Sequence, residues 1–491
     1  MIFRNFTFFM GIVFSFMYYL IDFDIDMFLL RSSLCMTLVV YIFYYINGLN
    51  HDKVLFSSWS RPSNLLLLGL LIVNFQTIAN VCFGLSSISD YLKTPIYSIY
   101  TGKVLFLSIS CFLGILSGLS TNVGPFALKK NDMISNDNEF RFWTFLTLIF
   151  LCSFVYNIDV HSFISGTDYV GSGAVDRVIK DSSYFEQLLT CSIIIVLGLQ
   201  VKKKSAYRDV TTFKDFIVSF PSVFLLSVGI YFILRLLSGD RGPIIYTSCA
   251  FMYAYWMLTK KRMSLVRLIL IVFFAASAVT LLGEVRDLDK DISFFDRINN
   301  VDVMKAKEDL PSICSQTQEL ANSVNCNFIA VGDINAKKTD YKYGAYNLIA
   351  MIGSVPGSSF VLSKILGVNL RDYMTSEYVT ISYFGPDYPL GLGTTAVADF
   401  FLDFGAFFSF LLFYSCGLLY RKLDYVYTKQ NVTNVSIYAI IAILKVSSIA
   451  IYTSRFSFAG TMSSALYVVI VFWVIHKLFF QNKTSWALLK K

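Results

Sequence analysis

The sequence predicts an all-α polytopic integral membrane protein of about twelve transmembrane helices with one long loop on its outer face. Three observations predict it. Of the 491 residues, 55% are hydrophobic, 17% aromatic and only 15% charged. Apolar runs of span length recur along almost the whole chain, and a soluble domain has no way to bury so many. Basic residues alternate in density between successive short loops, as they do in a chain threaded repeatedly through a bilayer.

The runs fall near 6–22, 27–47, 64–84, 103–120, 142–158, 186–201, 216–237, 243–259, 264–283, 396–420, 435–453 and 462–480. The first, after Arg4, lacks a small-residue cleavage site and reads as a span rather than a removable signal. The runs at 6–22 and 142–158 are short for a bilayer, and Arg31 and Lys445 interrupt two others. Those two charges read as residues that pair or snorkel rather than touch a ligand. The chain divides into an N-terminal membrane bundle, 1–283, a long outer loop, 284–395, and C-terminal spans with a short tail, 396–491.

With the N-terminus cytoplasmic, one side collects Arg4, Lys53, Arg61, Lys129, Lys130, Arg141, Lys202–Lys204, Arg208, Lys214, Lys260, Lys261, Arg262, Arg267, Arg421, Lys422 and Lys429. The lysines after His476 join them, while the short loops opposite carry only Lys93, Lys103, Arg177, Lys180, Arg241 and Arg455. Both termini are therefore expected in the cytoplasm. The net charge of +8 is a topology signal in this arrangement and implies no nucleic-acid partner.

Nine cysteines and three histidines are present, and no CxxC pair occurs. Cys35, Cys82, Cys111, Cys152, Cys191, Cys249 and Cys416 lie in apolar runs and read as small buried hydrophobes. This supply is poor for a zinc or iron site, so no metal or cofactor is expected. Cys314 and Cys326 both fall in the long loop, where a disulfide is compatible with an oxidising compartment. The first half of that loop is polar, and its second half, 341–367, reads as one or two amphipathic or half-inserted helices at the membrane boundary.

Charge near the outer ends of spans forms a short set. Arg235, Asp240 and Arg241 sit in Ile233–Pro243, where one apolar run ends and the next begins. Glu284, Arg286 and Asp287 follow the span ending near Gly283. Asp399 and Asp403 open the tenth span one helical turn apart, and Arg455 follows the eleventh. His161 and Asp168 lie in the loop after the fifth. Charge at such depth is kept by burial, pairing or use. A hairpin arginine that snorkels, interface anchors at Arg286 and Arg455, and aspartates that pair with arginines are the ordinary explanations. Arginines with a few carboxylates also suit a lipid-linked diphosphate, because guanidinium binds its oxygens bidentately and stabilises charge on the leaving group. A carboxylate nearby serves as general base on an acceptor hydroxyl.

With the Gly239–Pro243 turn, the long outer loop, Gly391–Gly405 and Arg455, the chain resembles the O-antigen polymerases (Wzy) of bacterial surface-polysaccharide synthesis. The resemblance implies a GT-C-like, metal-independent inverting glycosyltransferase of the bacterial inner membrane, its active site facing the periplasm. It implies an undecaprenyl-diphosphate-linked oligosaccharide as donor and as acceptor, with a chain-length regulator protein as a further candidate partner. The diphosphate role transfers to Arg241 and Arg286, and secondarily to Arg235 and Arg455. Glu284, Asp399 and Asp240, in that order, are the candidates for base. Two other readings stay open, an O-antigen ligase, which a loop histidine would favour, and a lipid-linked oligosaccharide flippase. The single long loop and the absence of an internal repeat count against a transporter.

Overall fold

A computed structural model describes residues 2–21, 26–85, 99–124, 137–158, 178–207, 210–238, 242–268, 270–271, 314, 317–353, 355, 358–367, 373–385 and 392–481. Helices account for the regular structure throughout, and no strand occurs among the described residues. The molecule is a polytopic helical membrane protein, with seven helices long and apolar enough to cross a bilayer by length and composition. Two shorter apolar helices, Ser222–Leu237 and Ile437–Ser448, match expected runs at 216–237 and 435–453. Most of the expected run at 264–283 lies outside the described residues.

In chain order the principal helices are α1 (Ile2–Leu20), α2 (Met27–His51), α3 (Pro62–Cys82), α4 (Thr101–Leu119) and α5 (Asp137–Asn157). Then come α6 (Val178–Tyr207), α7 (Ser222–Leu237) and α8 (Gly242–Thr259). The long-loop region contributes α9 (Asn325–Asn335), α10 (Ala345–Ile352), α11 (Ser358–Leu366) and α12 (Thr375–Phe384). The chain finishes with α13 (Ala396–Thr428), α14 (Ile437–Ser448) and α15 (Phe458–His476). The starts are encoded locally. Thr395, Ser436 and Ser457 each accept a hydrogen bond from an amide in the first turn of α13, α14 and α15, and Pro62 opens α3.

The organising contact is α13 against α4. Without a hydrophobic force between helices in lipid, close backbone approach has to supply the attraction. Gly114 and Gly118 on α4, spaced GxxxG, meet α13, Gly114 at Phe410 and Gly118 at Gly417. A Cβ on Gly118 would lie 2.2 Å from the Tyr414 carbonyl oxygen, and one on Gly417 would lie 2.5 Å from that of Ile115. Helix α1 joins the same seam, with its Ser15 hydroxyl 2.6 Å from the Ser110 hydroxyl of α4. Large apolar side chains such as Phe9, Phe16, Phe43, Ile230, Ile233 and Trp473 are exposed, an outward face suited to lipid chains.

Helix α13, at 33 residues, breaks its helical path at Gly405, where φ is 74°. Glycine takes that left-handed conformation without a Cβ clash, and the Tyr19 hydroxyl accepts the Ala406 amide at 3.2 Å.

The long loop is not peripheral throughout. Helix α9 lies in the half that reads as polar, yet Asn325 through Asp333 are all buried. Asn327 donates to Asn74 of α3 at 2.8 Å and accepts from the Thr395 hydroxyl, while Asp333 accepts from Tyr378 at 3.0 Å, from Ser382, and pairs with Lys338 at 3.2 Å. Its polar side chains are thus consumed inside the bundle, which allows a hydrophilic-looking segment to be core. Residues 341–367 form the two short helices α10 and α11.

The disulfide left open by the sequence does not join Cys314 and Cys326, and Cys326 is buried beside the Leu392–Gly393 carbonyls. Of the cysteines in apolar runs, Cys82, Cys111, Cys191 and Cys416 are buried as expected, but Cys35 and Cys152 are exposed on the apolar outer surface.

Replacing Gly118 by valine should cost about 1–3 kcal/mol by forcing α4 and α13 apart. A lowered unfolding midpoint and an altered gel-filtration profile in detergent check it, with Gly229→Ala, where a Cβ meets nothing, as the neutral control.

Candidate functional site

The two ends of the bundle differ in charge. At one end, basic residues from separate segments converge by contact: Lys429 and Arg421 on Asp52, Lys260 on the Val426 carbonyl, Lys261 on the Thr211 carbonyl, Lys202 on the Thr433 and Val435 carbonyls. Arg61 is fully buried there against Asp424, 3.5 Å away, with Ser63 also donating to that carboxylate. The opposite end carries the residues flanking the Gly239–Pro243 turn, the starts of α13 and α15, and the buried helix α9.

At this opposite end a cavity of about 340 Å³ opens between α6, α7, α8 and α14. Glu186, Tyr231, Pro243, Tyr246, Thr247 and Lys445 line it. Pro243, in the cavity wall, directly follows the Asp240–Arg241–Gly242 sequence in the chain. Arg235, one candidate diphosphate ligand, is committed: its Nε donates to Glu186 at 2.6 Å, its Nη2 meets the other carboxylate oxygen, and Tyr231 donates to the same group at 2.7 Å. A guanidinium gripped by both carboxylate oxygens has little left for a phosphate, which makes Arg235 a support for Glu186 in the cavity wall.

Lys445 is different. The sequence reading gave it a partner or a snorkelling role, yet it stands in the last turn of α14 with no hydrogen bond or ion pair to any described residue, lining the same cavity as Glu186. Ten residues on, the side chain of Arg455 is likewise without a hydrogen bond or ion pair. Tyr246 links the two. It lines the Lys445 cavity, and its ring packs on Tyr452 at 5.2 Å and Phe456 at 6.2 Å, the residues that bracket Arg455. Among the described cations that are at least partly buried, these two alone are uncommitted.

The segment carrying Arg455 is tied to the start of α13, where Ala396 donates to the Ser454 carbonyl at 3.2 Å. Asp399, a candidate base, lies buried one turn into that helix. The Thr394 hydroxyl donates to it at 3.2 Å, with the Ser457 and Thr375 hydroxyls beside it, and Arg455 and Asp399 both act electrostatically on the Cys326 thiol. Asp403 has a structural task instead. It accepts the Tyr346 and Asn347 amides at 3.2 and 2.8 Å, capping α10 from outside and fastening the loop region to α13.

The remaining candidates, Asp240, Arg241, Glu284 and Arg286, lie outside the described residues, as do His161 and Asp168. Arg31, expected to pair or snorkel, donates to the Cys82 carbonyl at 2.7 Å. Among the described residues no group of three or more histidine, cysteine or acidic side chains is placed to hold a metal ion. The chain matches no family model, no curated protein and no solved structure.

If Arg235 serves the wall, Glu186→Ala and Arg235→Ala should each destabilise by about 2–3 kcal/mol. Their double mutant should cost less than the sum, and thermal unfolding of the four proteins in detergent closes the cycle.

Proposed function

We propose that the chain is a membrane glycosyltransferase that polymerises undecaprenyl-diphosphate-linked oligosaccharide repeat units at the periplasmic face of a bacterial inner membrane. In this reading it has about twelve spans and a GT-C-like architecture, with both termini in the cytoplasm. The observation that carries the reading is a pair of cations uncommitted among the described residues, Lys445 in the cavity wall with Tyr246, and Arg455 in the segment whose Tyr452 and Phe456 rings pack on Tyr246. Unpartnered charge at that depth is costly, and a dianionic headgroup whose lipid tail stays in the bilayer is the ligand that offsets the cost.

The reaction is a displacement at the anomeric carbon of the donor. The acceptor's hydroxyl oxygen forms the new glycosidic bond as the bond to the diphosphate oxygen breaks. The electron pair leaves on the diphosphate, and the hydroxyl proton passes to a carboxylate. Lys445 and Arg455 hold the departing diphosphate, with Arg241, which immediately precedes α8, and Arg286 as the further arginines assigned by the sequence reading. Arginine remains cationic through the step, so stabilisation grows as negative charge develops. Asp399 is the base this reading favours among the described residues, because its carboxylate is oriented by the Thr394, Ser457 and Thr375 hydroxyls and its helix start is tied to the Arg455 segment through Ala396 and Ser454. Its burial keeps it close to the reacting groups and away from bulk water.

A bacterial strain deleted for the chain tests the function on a lipopolysaccharide gel. The expected pattern is loss of the ladder with a single repeat unit still joined to the core. Loss of that single unit as well would replace the polymerase by a ligase or a flippase. Complementation with Lys445→Met or Arg455→Ala should restore protein but less than about a tenth of the ladder, as expected for losing one charge-assisted contact to a phosphate. Arg241→Lys should behave similarly, since lysine cannot reproduce the bidentate geometry. A full ladder from Lys445→Met would remove that residue from the site.

A further inference from the structure

We propose a second anion site at the basic end of the bundle, separate from the Lys445 cavity, that takes the phosphate group of a lipid headgroup or of a free phosphate ion. Two neighbouring cavities form it, of about 140 and 640 Å³, and both are lined by Lys260 and Lys261. Arg61, Arg262, Ser58, Ser60, Tyr253 and Thr428 complete the smaller one. Among the described residues no carboxylate lines either cavity, in contrast to the Lys445 cavity with its Glu186. Apart from Arg61 and Lys429, which are paired with Asp424 and Asp52, the wall's ammonium, guanidinium and hydroxyl donors match a group rich in anionic oxygens.

A basic loop that only sets topology would leave its lysines in water. Lys260 is drawn inward instead. It follows the last turn of α8, where its amide donates to the Trp256 carbonyl at 2.9 Å, and its φ of 52° is left-handed, a conformation that disfavours a side-chain-bearing residue. Tyr253 and Trp256, one turn apart on α8, and Lys260 just beyond its end all line the smaller cavity. As ammonium groups, Lys260 spends one donor on the Val426 carbonyl and Lys261 one on the Thr211 carbonyl, which leaves two N–H bonds on each. Burial also lowers the Lys260 pKa to about 7, so the ammonium there lacks the anion that would hold its proton.

The second independent sign of a ligand is Tyr253. It is 1% exposed, its hydroxyl has no hydrogen-bond partner among the described residues, and it lies in the cavity wall. A buried phenol donor is normally satisfied. Arg61 supplies rigid charge behind it, locked by Asn64 at 2.8 Å, by the Ser58 carbonyl at 3.2 Å and over the Phe56 ring at 4.3 Å.

The test uses the full chain purified in detergent, with inorganic phosphate titrated against chloride at constant ionic strength. A parallel arm uses nanodiscs of phosphatidylcholine with and without phosphatidylglycerol. Thermal unfolding is the readout. A saturable upward shift with phosphate supports the proposal with a free ion as the source. A shift seen only with phosphatidylglycerol supports it with a lipid headgroup as the source. In Lys260→Met the half-saturating concentration should rise about tenfold or more. Where Lys260→Met does not fold, the exposed pair Lys261→Ala/Arg262→Ala carries the same expectation. No shift with either ligand, or equal shifts in wild type and variants, overturns the site. Glycan polymerisation does not enter this readout, so the outcome is independent of the function proposed above.

Discussion

Charge inside a membrane protein must be partnered or used, and this constraint organises the molecule from end to end. At the basic end Arg61 meets Asp424, and Arg421 and Lys429 meet Asp52. Between the helices Glu139 meets His476 at 2.7 Å. At the opposite end Arg235 meets Glu186, Lys338 meets Asp333, and Asp403 is spent on the amides of α10. Apart from Lys338 with Asp333, each pairing joins segments distant in the chain, so these pairs also specify how the helices assemble. Against that background the isolation of Lys445 and Arg455 is informative, because every comparable cation has found a neighbour.

The glycine seam makes the pattern possible. Gly114, Gly118 and Gly417 bring α4 and α13 close enough for α13 to serve as an axis, carrying Asp399 and Asp403 near one end and Asp424 near the other. The break at Gly405 lets the first turns of α13 take a separate direction, towards α9, α10 and the Arg455 segment. Packing along the middle of α13 therefore sets the position of chemistry at both ends.

The fold class was legible in the sequence because apolar run length and basic-loop asymmetry are local properties of the chain. Partner choice was not. Arg235 reads as a free cation until Glu186, 49 positions away, is brought beside it. Lys445, alone in an apolar run, reads as a charge with a hidden partner, and only the packed helices leave it without one. Helix α9 looks like exposed loop because Asn325, Asn327, Asp333 and Asn335 are polar. The groups that satisfy Asn327 and Asp333 come from α3, α12 and the Thr395 cap. The Cys314–Cys326 disulfide was left open for a related reason: sequence proximity says nothing about the burial that seals Cys326 into α9. Asp399 was legible as one of two carboxylates a helical turn apart, but the different tasks of the two were not.

The central claim is that Lys445 and Arg455 together bind a lipid-linked diphosphate. The most direct measurement is the affinity of the purified protein for a short-chain polyprenyl diphosphate, by calorimetry in detergent, for the wild type, Lys445→Met, Arg455→Ala and the double variant. Saturable binding that weakens at least about tenfold in each single variant, and is lost in the double, is the predicted result. Unchanged affinity in a folded double variant would contradict the account.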